Sequence, residues 1–155
     1  MRNGKTMFYD KPHHISSLFP LRNMTREAVM TLYGVRPEDV HEDVRYEGLD
    51  NLTEIHVPEK HPARFFFRGD RVVLVYIGDE SFLSELTPSS IEVILGKKRE
   101  RLRSRAGRMA NHWVYPRLGI AYSEDQGAIA FVELFQPTTM EGYLSIYRPG
   151  EPYIL

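Results

Sequence analysis

Hydrophobic residues in this chain follow helical spacing in three short segments and strand-like alternation in the segments between them. The first helical segment follows Thr25, a favourable N-cap residue, and ends at Gly34, a residue that readily closes a helix. The second follows Thr87 and ends at Gly96 in the same way. The pattern predicts two helices here, and the segment TTMEGYLSIY predicts a third near the C-terminus.

Alternation of apolar and polar residues predicts strands in both halves of the chain. In LTEIHV it places Leu52, Glu54 and His56 on one face of a strand. Two β-rich runs flank Gly69 and Asp70, and two more flank a turn within residues 123–127, so we expect a hairpin at each place. The segments HWVYP and LRSRAG predict further strands, whereas residues 1–20 predict an irregular N-terminal arm.

The two helical segments align without gaps, since MTREAVMTLYG lies over LTPSSIEVILG with Thr25 and Thr87 62 residues apart. In each half the helix precedes weaker strands and then a strong hairpin. The sequence therefore predicts a single α+β domain made of two helix-plus-antiparallel-sheet repeats, at about 21–80 and about 84–147. We expect the repeats to share one curved sheet, with the helices on one of its faces.

The second half carries a resemblance to a known family, through residues Thr87, Ile91, Leu95, Gly96, Trp113, Tyr115, Gly119, Ile120 and Tyr122. With these residues the chain resembles the BamE/SmpA and β-lactamase-inhibitor-protein (BLIP-like) tandem-repeat superfamily, most strongly over residues 86–135. The resemblance implies the helix-then-sheet fold and protein binding through an exposed sheet face. We find no lipoprotein signal in this sequence and none of the cysteines usual in secreted inhibitors of this type, so we do not expect the outer-membrane assembly role to carry over.

Composition narrows the classes of function. With 155 residues, 42% of them hydrophobic, the chain is suited to one domain with a packed core. A net charge of −1 gives no overall attraction to nucleic acid or to an anionic membrane. The absence of cysteine excludes disulfides, thiol nucleophiles and cysteine-based zinc sites. The polar N-terminus and the short apolar runs predict a soluble cytoplasmic protein with no membrane partner.

Charge is nevertheless distributed unevenly. Eight acidic residues accompany Arg45 between residues 38 and 59, and seven basic residues accompany Glu100 between residues 97 and 108. In a strand, alternation would place one row of basic side chains on a single face, namely Lys97, Arg99, Arg101, Arg103 and Arg105. Such a row could contact a phosphate backbone, a partner protein or the chain's own acidic segment, within one molecule or across a homodimer.

Few residues suggest catalysis. The chain contains no nucleophile elbow and no glycine-rich phosphate loop, so we predict no catalytic residues, no metal and no cofactor. HVPEKH resembles a metal-binding spacing through His56, Glu59 and His61, but Pro58 and Pro62 prevent the continuous helix that a zinc-protease motif needs. A small metal-dependent hydrolase at these residues is kept as a second alternative.

Aromatic and basic residues provide the main candidate site. Alternation sends Phe66 to the face opposite Phe65 and Phe67, and it places Trp113 and Tyr115 together on one face. We therefore predict a non-enzymatic protein-binding module of the inhibitor, immunity or adaptor type, with an unidentified protein partner. Its predicted contact residues are Phe66, Arg101, Arg103, Arg105, Trp113 and Tyr115. The first alternative is a nucleic-acid-binding protein that uses the basic strand at 97–108.

Overall fold

The computed structural model describes residues 11–58 and 62–149, and within these ranges it contains three α-helices and eight strands. The helices are α1 (Arg26–Tyr33), α2 (Pro88–Leu95) and α3 (Met140–Tyr147). The strands are β1 (Val40–Tyr46), β2 (Leu49–Val57), β3 (Ala63–Arg68), β4 (Arg71–Ile77), β5 (Glu100–Arg103), β6 (Asn111–Tyr115), β7 (Ile120–Asp125) and β8 (Ala128–Phe135). Short 3-10 helices cover Ile15–Asn23, Pro37–Asp39 and Pro116–Leu118.

All eight strands form one open antiparallel sheet in the order β1-β2-β3-β4-β8-β7-β6-β5. Each half of the chain contributes a four-stranded meander preceded by an α-helix, and the meanders meet where β4 pairs with β8. The predicted α+β class with one sheet shared by both halves is confirmed. Because every pairing between chain neighbours is antiparallel, short loops suffice to connect the strands within each half.

Both predicted helix boundaries and both predicted hairpins are present. The Thr25 hydroxyl accepts a hydrogen bond from the Ala28 amide at 3.1 Å, and the Thr87 hydroxyl accepts one from Ser90 at the same distance. Gly34 follows α1 with a φ of 62°, which lies in the left-handed region that glycine adopts at little cost. The β3–β4 turn contains Gly69, as predicted, and the β7–β8 turn falls within the expected residues 123–127.

The sheet is apolar on both faces, and each face has its own helices. On the first face, Phe65 and Phe67 belong to a core that includes residues of α1, α2 and the N-terminal 3-10 helix. On the second face, Phe66 belongs to a core with Tyr143 and Tyr147 of α3. The expectation that all helices lie on one face is therefore wrong. A sheet with apolar side chains on both faces has to cover both of them.

The N-terminal arm is also more ordered than expected. Residues 15–23 form a 3-10 helix, and the fully buried side chains of Ile15, Leu18 and Leu21 recur every three residues on one side of it. The predicted irregular arm is therefore wrong from residue 15 onwards, while residues 1–10 lie outside the described part of the chain. This helix contributes to the first-face core and covers part of that face.

Side-chain contacts show that the sheet curls around its second face. β1 and β5 are its two edge strands, and in a flat eight-stranded sheet seven spacings would separate them by about 34 Å. Yet Arg105, two residues after β5, donates a hydrogen bond to the Tyr46 hydroxyl at 3.0 Å and forms an ion pair with Glu47 at the end of β1. The second face is therefore concave, and the two edges approach each other across it.

No helix in residues 11–58 or 62–149 has the length and apolar character needed to cross a bilayer.

Candidate functional site

The concave face is divided between a covered part and an open cleft. α3 covers one part, where Tyr143 and Tyr147 lie with ring centroids 5.0 and 4.9 Å from that of Phe135. The open part is a cleft of about 660 Å³. Its prominent lining residues are aromatic or charged: Tyr46, Arg64, Tyr76, Glu80, Arg105, Asp125 and Phe131.

A fully buried carboxylate, Glu133, connects the two parts. Its Oε1 accepts a hydrogen bond from the Tyr143 hydroxyl of α3 at 2.8 Å. Its Oε2 accepts one from the Tyr46 hydroxyl at 2.6 Å and one from Nη2 of Arg105 at 2.9 Å. Glu133 therefore fixes the orientation of two side chains that line the cleft, while α3 satisfies its other oxygen.

His112 extends this network behind α3. Its Nε2 lies 2.8 Å from the Tyr143 hydroxyl, whose own proton goes to Glu133, so the network assigns the imidazole proton to Nε2. The Nδ1 atom then accepts a hydrogen bond from the Ser123 hydroxyl at 2.7 Å. Ser104 donates to Ser123 at 2.7 Å, which links the loop after β5 to the same chain of hydrogen bonds.

Burial and neighbouring charges keep this network in one protonation state near neutral pH. Burial lowers the pKa of His112 to about 4, so the imidazole is neutral. Burial alone would raise the pKa of Glu133, but hydrogen bonding and the nearby charges, including Arg148 and Arg105, hold that pKa below its usual range. Burial and the Glu133 charge raise the pKa of Tyr46 and of Tyr143. The network therefore suits a fixed support better than it suits proton transfer.

The cleft arginines are held by carboxylates and rings of the protein itself. Arg64 pairs with Glu54 at 2.5 Å, and its guanidinium lies 5.3 Å from the Phe66 ring centroid. Arg105 lies 5.7 Å from the ring centroid of Tyr46 and 5.6 Å from that of Phe131. These contacts neutralise both cations and restrict their rotamers.

Two acidic side chains of the cleft are in a different situation. Glu80 and Asp125 line it, yet neither makes a side-chain hydrogen bond or an ion pair with any residue that the structure describes. The cleft therefore combines neutralised arginines and aromatic rings with two carboxylates that are not neutralised.

Two of the six predicted contact residues are buried. Phe66 lies on the face opposite Phe65 and Phe67, as predicted, but it is 0% exposed because Tyr46 packs on it with ring centroids 5.0 Å apart. Tyr115 is 2% exposed, and its hydroxyl donates to the carbonyl of Gly96 at 2.8 Å. The expectation that these two side chains are accessible to a partner is wrong, because each face of the sheet is covered at that point.

The predicted row of arginines is broken. Arg101 and Arg103 are exposed on β5, and Arg101 lies 6.0 Å from the ring centroid of the half-buried Trp113. Arg105 lies beyond the end of β5 and reaches Glu133 on the concave face, so it does not continue the row. The structure thus brings Arg101 and Trp113 together and places Arg105 in the cleft.

The possible metal site at His56, Glu59 and His61 falls partly outside the described residues. His56 is exposed on β2, whereas Glu59 and His61 are not described. Across the ranges 11–58 and 62–149, no three His, Asp or Glu side chains are grouped so that they could hold a metal ion. The hydrolase alternative stays a prediction.

The sequence-based interpretation missed Glu133 and its partners. Glu133 is the single charged residue of β8, a strand with the sequence AIAFVELF, and a charge inside such an apolar run is a signal of a buried ion pair. Tyr46 of β1 and Tyr143 of α3 hydrogen-bond to Glu133, and the charge of Arg148 lowers its pKa. These residues lie in other elements, and no local pattern distinguishes them from other tyrosines and arginines.

Comparison with protein-family models, curated proteins and solved structures found no significant match to this chain. What the cleft binds is therefore inferred from its own chemistry.

Proposed function

We propose that this protein is a non-enzymatic binding module that holds a partner protein in the open cleft of its concave sheet face. The observation that carries the proposal is that α3 covers only part of this face and leaves a cleft of about 660 Å³ lined by aromatic and arginine side chains. Tyrosine and arginine are among the residues that contribute most to protein interfaces. Because Glu133 already fixes Tyr46 and Arg105, little side-chain entropy is lost when a partner binds.

The charge of the cleft indicates the chemistry of the partner. Arg64 and Arg105 are already paired within the protein, whereas Glu80 and Asp125 are not paired with any described residue. A lysine or arginine side chain of the partner would complement these carboxylates. It could also stack on the half-buried ring of Tyr76, which lines the cleft and lies 5.3 Å from the ring of Phe131.

The order of elements supports a second part of the proposal, the origin of the fold in two repeats. An α-helix followed by a four-stranded meander occurs twice, and the helix caps Thr25 and Thr87 occupy corresponding positions. This arrangement agrees with the proposed resemblance to the BamE/SmpA and BLIP-like superfamily. That resemblance implies partner binding through a sheet face, although fold alone does not establish function.

Site-specific photo-crosslinking in the host cell tests the proposal. A photoreactive amino acid replaces Ala128, an exposed residue of the cleft, and in a control it replaces Val93, which is 82% exposed on α2. We expect one host protein to be crosslinked from position 128 and not from position 93. The double substitution Glu80→Lys and Asp125→Lys should reduce this product about tenfold or more, since it removes two charge-assisted contacts.

A charge reversal outside the cleft is the control for the double substitution. The matched variant Arg103→Glu changes an exposed charge outside the cleft and should leave the crosslink intact. Equal products from positions 128 and 93, or a product that survives the double charge reversal, would contradict the proposal.

A second candidate function, nucleic-acid binding, is favoured by the exposed basic side chains on and beside β5. Arg101 and Arg103 have no carboxylate partner within the described ranges, and Lys97, Lys98 and Arg108 are exposed nearby. Binding to random DNA and RNA should then weaken steeply as salt concentration rises. No binding at low ionic strength would end this candidate.

A further inference from the structure

A second concavity lies where α2 ends and α3 begins. It has a volume of about 550 Å³ and shares no lining residue with the cleft of the concave face. Four basic residues and one acidic residue line it: Lys97, Lys98, Arg99, Arg117 and Glu100. We call this concavity the basic groove. Its positive charge is a local feature, because the whole chain has a net charge of −1.

Three of the four cations in the basic groove are available to a ligand. Arg99 pairs with Glu92 at 3.4 Å and donates to the Tyr115 hydroxyl at 3.2 Å, so its charge is largely satisfied. Lys97, Lys98 and Arg117 are exposed and form no ion pair with any residue in the described part of the chain.

Apolar side chains form the rest of the lining, and the walls are already fixed. Leu95, Pro116, Leu118 and Met140 all contribute to the lining, and Leu118 is 39% exposed. The loop that carries Pro116 and Leu118 is held by Arg22, which donates to the carbonyl of Gly119 at 3.0 Å. The Thr138 amide donates to the carbonyl of Pro116 at 2.8 Å. A groove with fixed walls can bind a ligand without a large ordering cost.

From this arrangement we propose that the basic groove binds an amphiphilic carboxylate with an aliphatic chain. The carboxylate meets the cationic groups of Lys97, Lys98 and Arg117, and the aliphatic chain lies against Leu95, Leu118 and Met140. Charge-assisted hydrogen bonds provide specificity for the anion, and burial of the chain provides affinity. The volume is in the usual range for small-molecule sites. This site is independent of the proposed protein-binding cleft.

The structure contains its own reporter for this groove. Trp113 is the single tryptophan, and the guanidinium of Arg99, which lines the groove, lies 4.1 Å from its ring centroid. Titration with dodecanoate below its micellar concentration should change the tryptophan emission saturably, and calorimetry measures the same binding independently. Dodecyltrimethylammonium has the same chain with the opposite charge, and acetate has the head group without the chain. Neither should bind at concentrations that saturate with dodecanoate.

Charge reversal on the groove separates this site from non-specific adsorption. The double substitution Lys98→Glu and Arg117→Glu should weaken dodecanoate binding about tenfold or more. The matched control Arg108→Glu reverses an exposed charge outside the groove and should leave binding unchanged. Equal binding of the cationic amphiphile, or no effect of the double substitution, would overturn the proposal. Binding to phosphatidylglycerol vesicles without binding to monomeric dodecanoate would overturn it too, since it would identify a membrane surface as the ligand.

Discussion

Glu133 is ionised in the middle of an apolar strand because three separate segments each contribute a hydrogen-bond donor. The donors are the Tyr46 hydroxyl at the end of β1, the Arg105 guanidinium in the loop after β5 and the Tyr143 hydroxyl of α3. A buried carboxylate without such partners would cost several kcal/mol, so each donor matters more than its one hydrogen bond suggests. At the scale of single residues, the network therefore links the stability of the fold to the shape of the cleft.

Removal of the Tyr143 hydroxyl should be costly. The substitution Tyr143→Phe leaves His112 Nε2 and Glu133 Oε1 without their shared partner, and both are buried. We expect a loss of about 2–3 kcal/mol in the free energy of unfolding, measured with urea. Tyr147→Phe is the matched control, because the Tyr147 hydroxyl donates a single hydrogen bond, to the Val73 carbonyl at 3.2 Å. This substitution should cost about 1 kcal/mol. Equal losses would contradict the role of the network.

Stability should fall on acidification in the range set by His112. The pKa of His112 is lowered from 6.5 to about 4 in the folded state, so between these values the unfolded chain binds a proton that the folded chain does not. The neutral His112 therefore contributes to the free energy of unfolding above pH 6.5, and this contribution is lost as pH falls to 4. It amounts to about 3 kcal/mol at 1.4 kcal/mol per pKa unit. Glu133, whose pKa is also lowered, adds to the loss below its ordinary value of 4.5.

Urea unfolding at several pH values between 7 and 4 measures this effect. The substitution His112→Gln should flatten the dependence between pH 6.5 and 4.5, whereas His56→Gln, at an exposed histidine of β2, should leave it unchanged. An unaltered slope in the His112 variant would contradict the assignment.

At the scale of elements, the helices and turns follow from local rules, while their packing does not. Gly34 and Gly119 both have positive φ, 62° and 74°, and both close a helical segment. Their surroundings differ, however, because Gly34 has open space where a Cβ would lie. At Gly119 a Cβ would overlap the Phe135 carbonyl oxygen and the Arg22 guanidinium.

The two glycines therefore predict different costs for the same substitution. Gly34→Ala should destabilise the protein by about 1 kcal/mol, the backbone cost of the left-handed region alone. Gly119→Ala should cost about 3 kcal/mol or more, since the Phe135 carbonyl or the Arg22 side chain has to move as well. Thermal and urea unfolding of the two variants measure the difference. Similar losses would mean that the contact at Gly119 relaxes easily.

At the scale of the whole molecule, Arg105 stabilises the curled sheet by joining its two edges. It connects the loop after β5 to Tyr46 and Glu47 at the far edge strand, and it neutralises Glu133 between them. The acidic segment 38–59 and the basic segment 97–108 thus meet within one molecule at this residue. The curl creates the cleft, so loss of Arg105 should affect both stability and shape.

Arg105→Ala should lower the free energy of unfolding by about 3–5 kcal/mol, because it removes a cation from a buried carboxylate. Glu47→Ala removes only the partly exposed partner and should cost less than about 1 kcal/mol. Arg103→Ala, at an exposed position of the neighbouring strand, should stay within about 0.5 kcal/mol of the parent. Urea unfolding measures all three. If Glu47→Ala lowered the free energy of unfolding as much as Arg105→Ala, the contact of Arg105 with Glu47, and not its contact with Glu133, would be what stabilises the curled sheet.

The sequence by itself determined the local structure of this protein. The caps at Thr25 and Thr87, the hairpins at Gly69 and within residues 123–127, and the opposite orientations of Phe65 and Phe66 all depend on interactions within a few residues. Those interactions are the same in any fold that contains the segment, so pattern alone predicted them.

Only the tertiary structure decided which surfaces are open. Phe66 is buried because Tyr46, 20 residues earlier in the chain, packs on it, and Arg105 meets Glu47 across 58 residues. The position of α3 on the second face similarly follows from how that face curves and which core residues it exposes. Burial of this kind depends on the free energy of the whole sheet, so no local pattern in the sequence contains it.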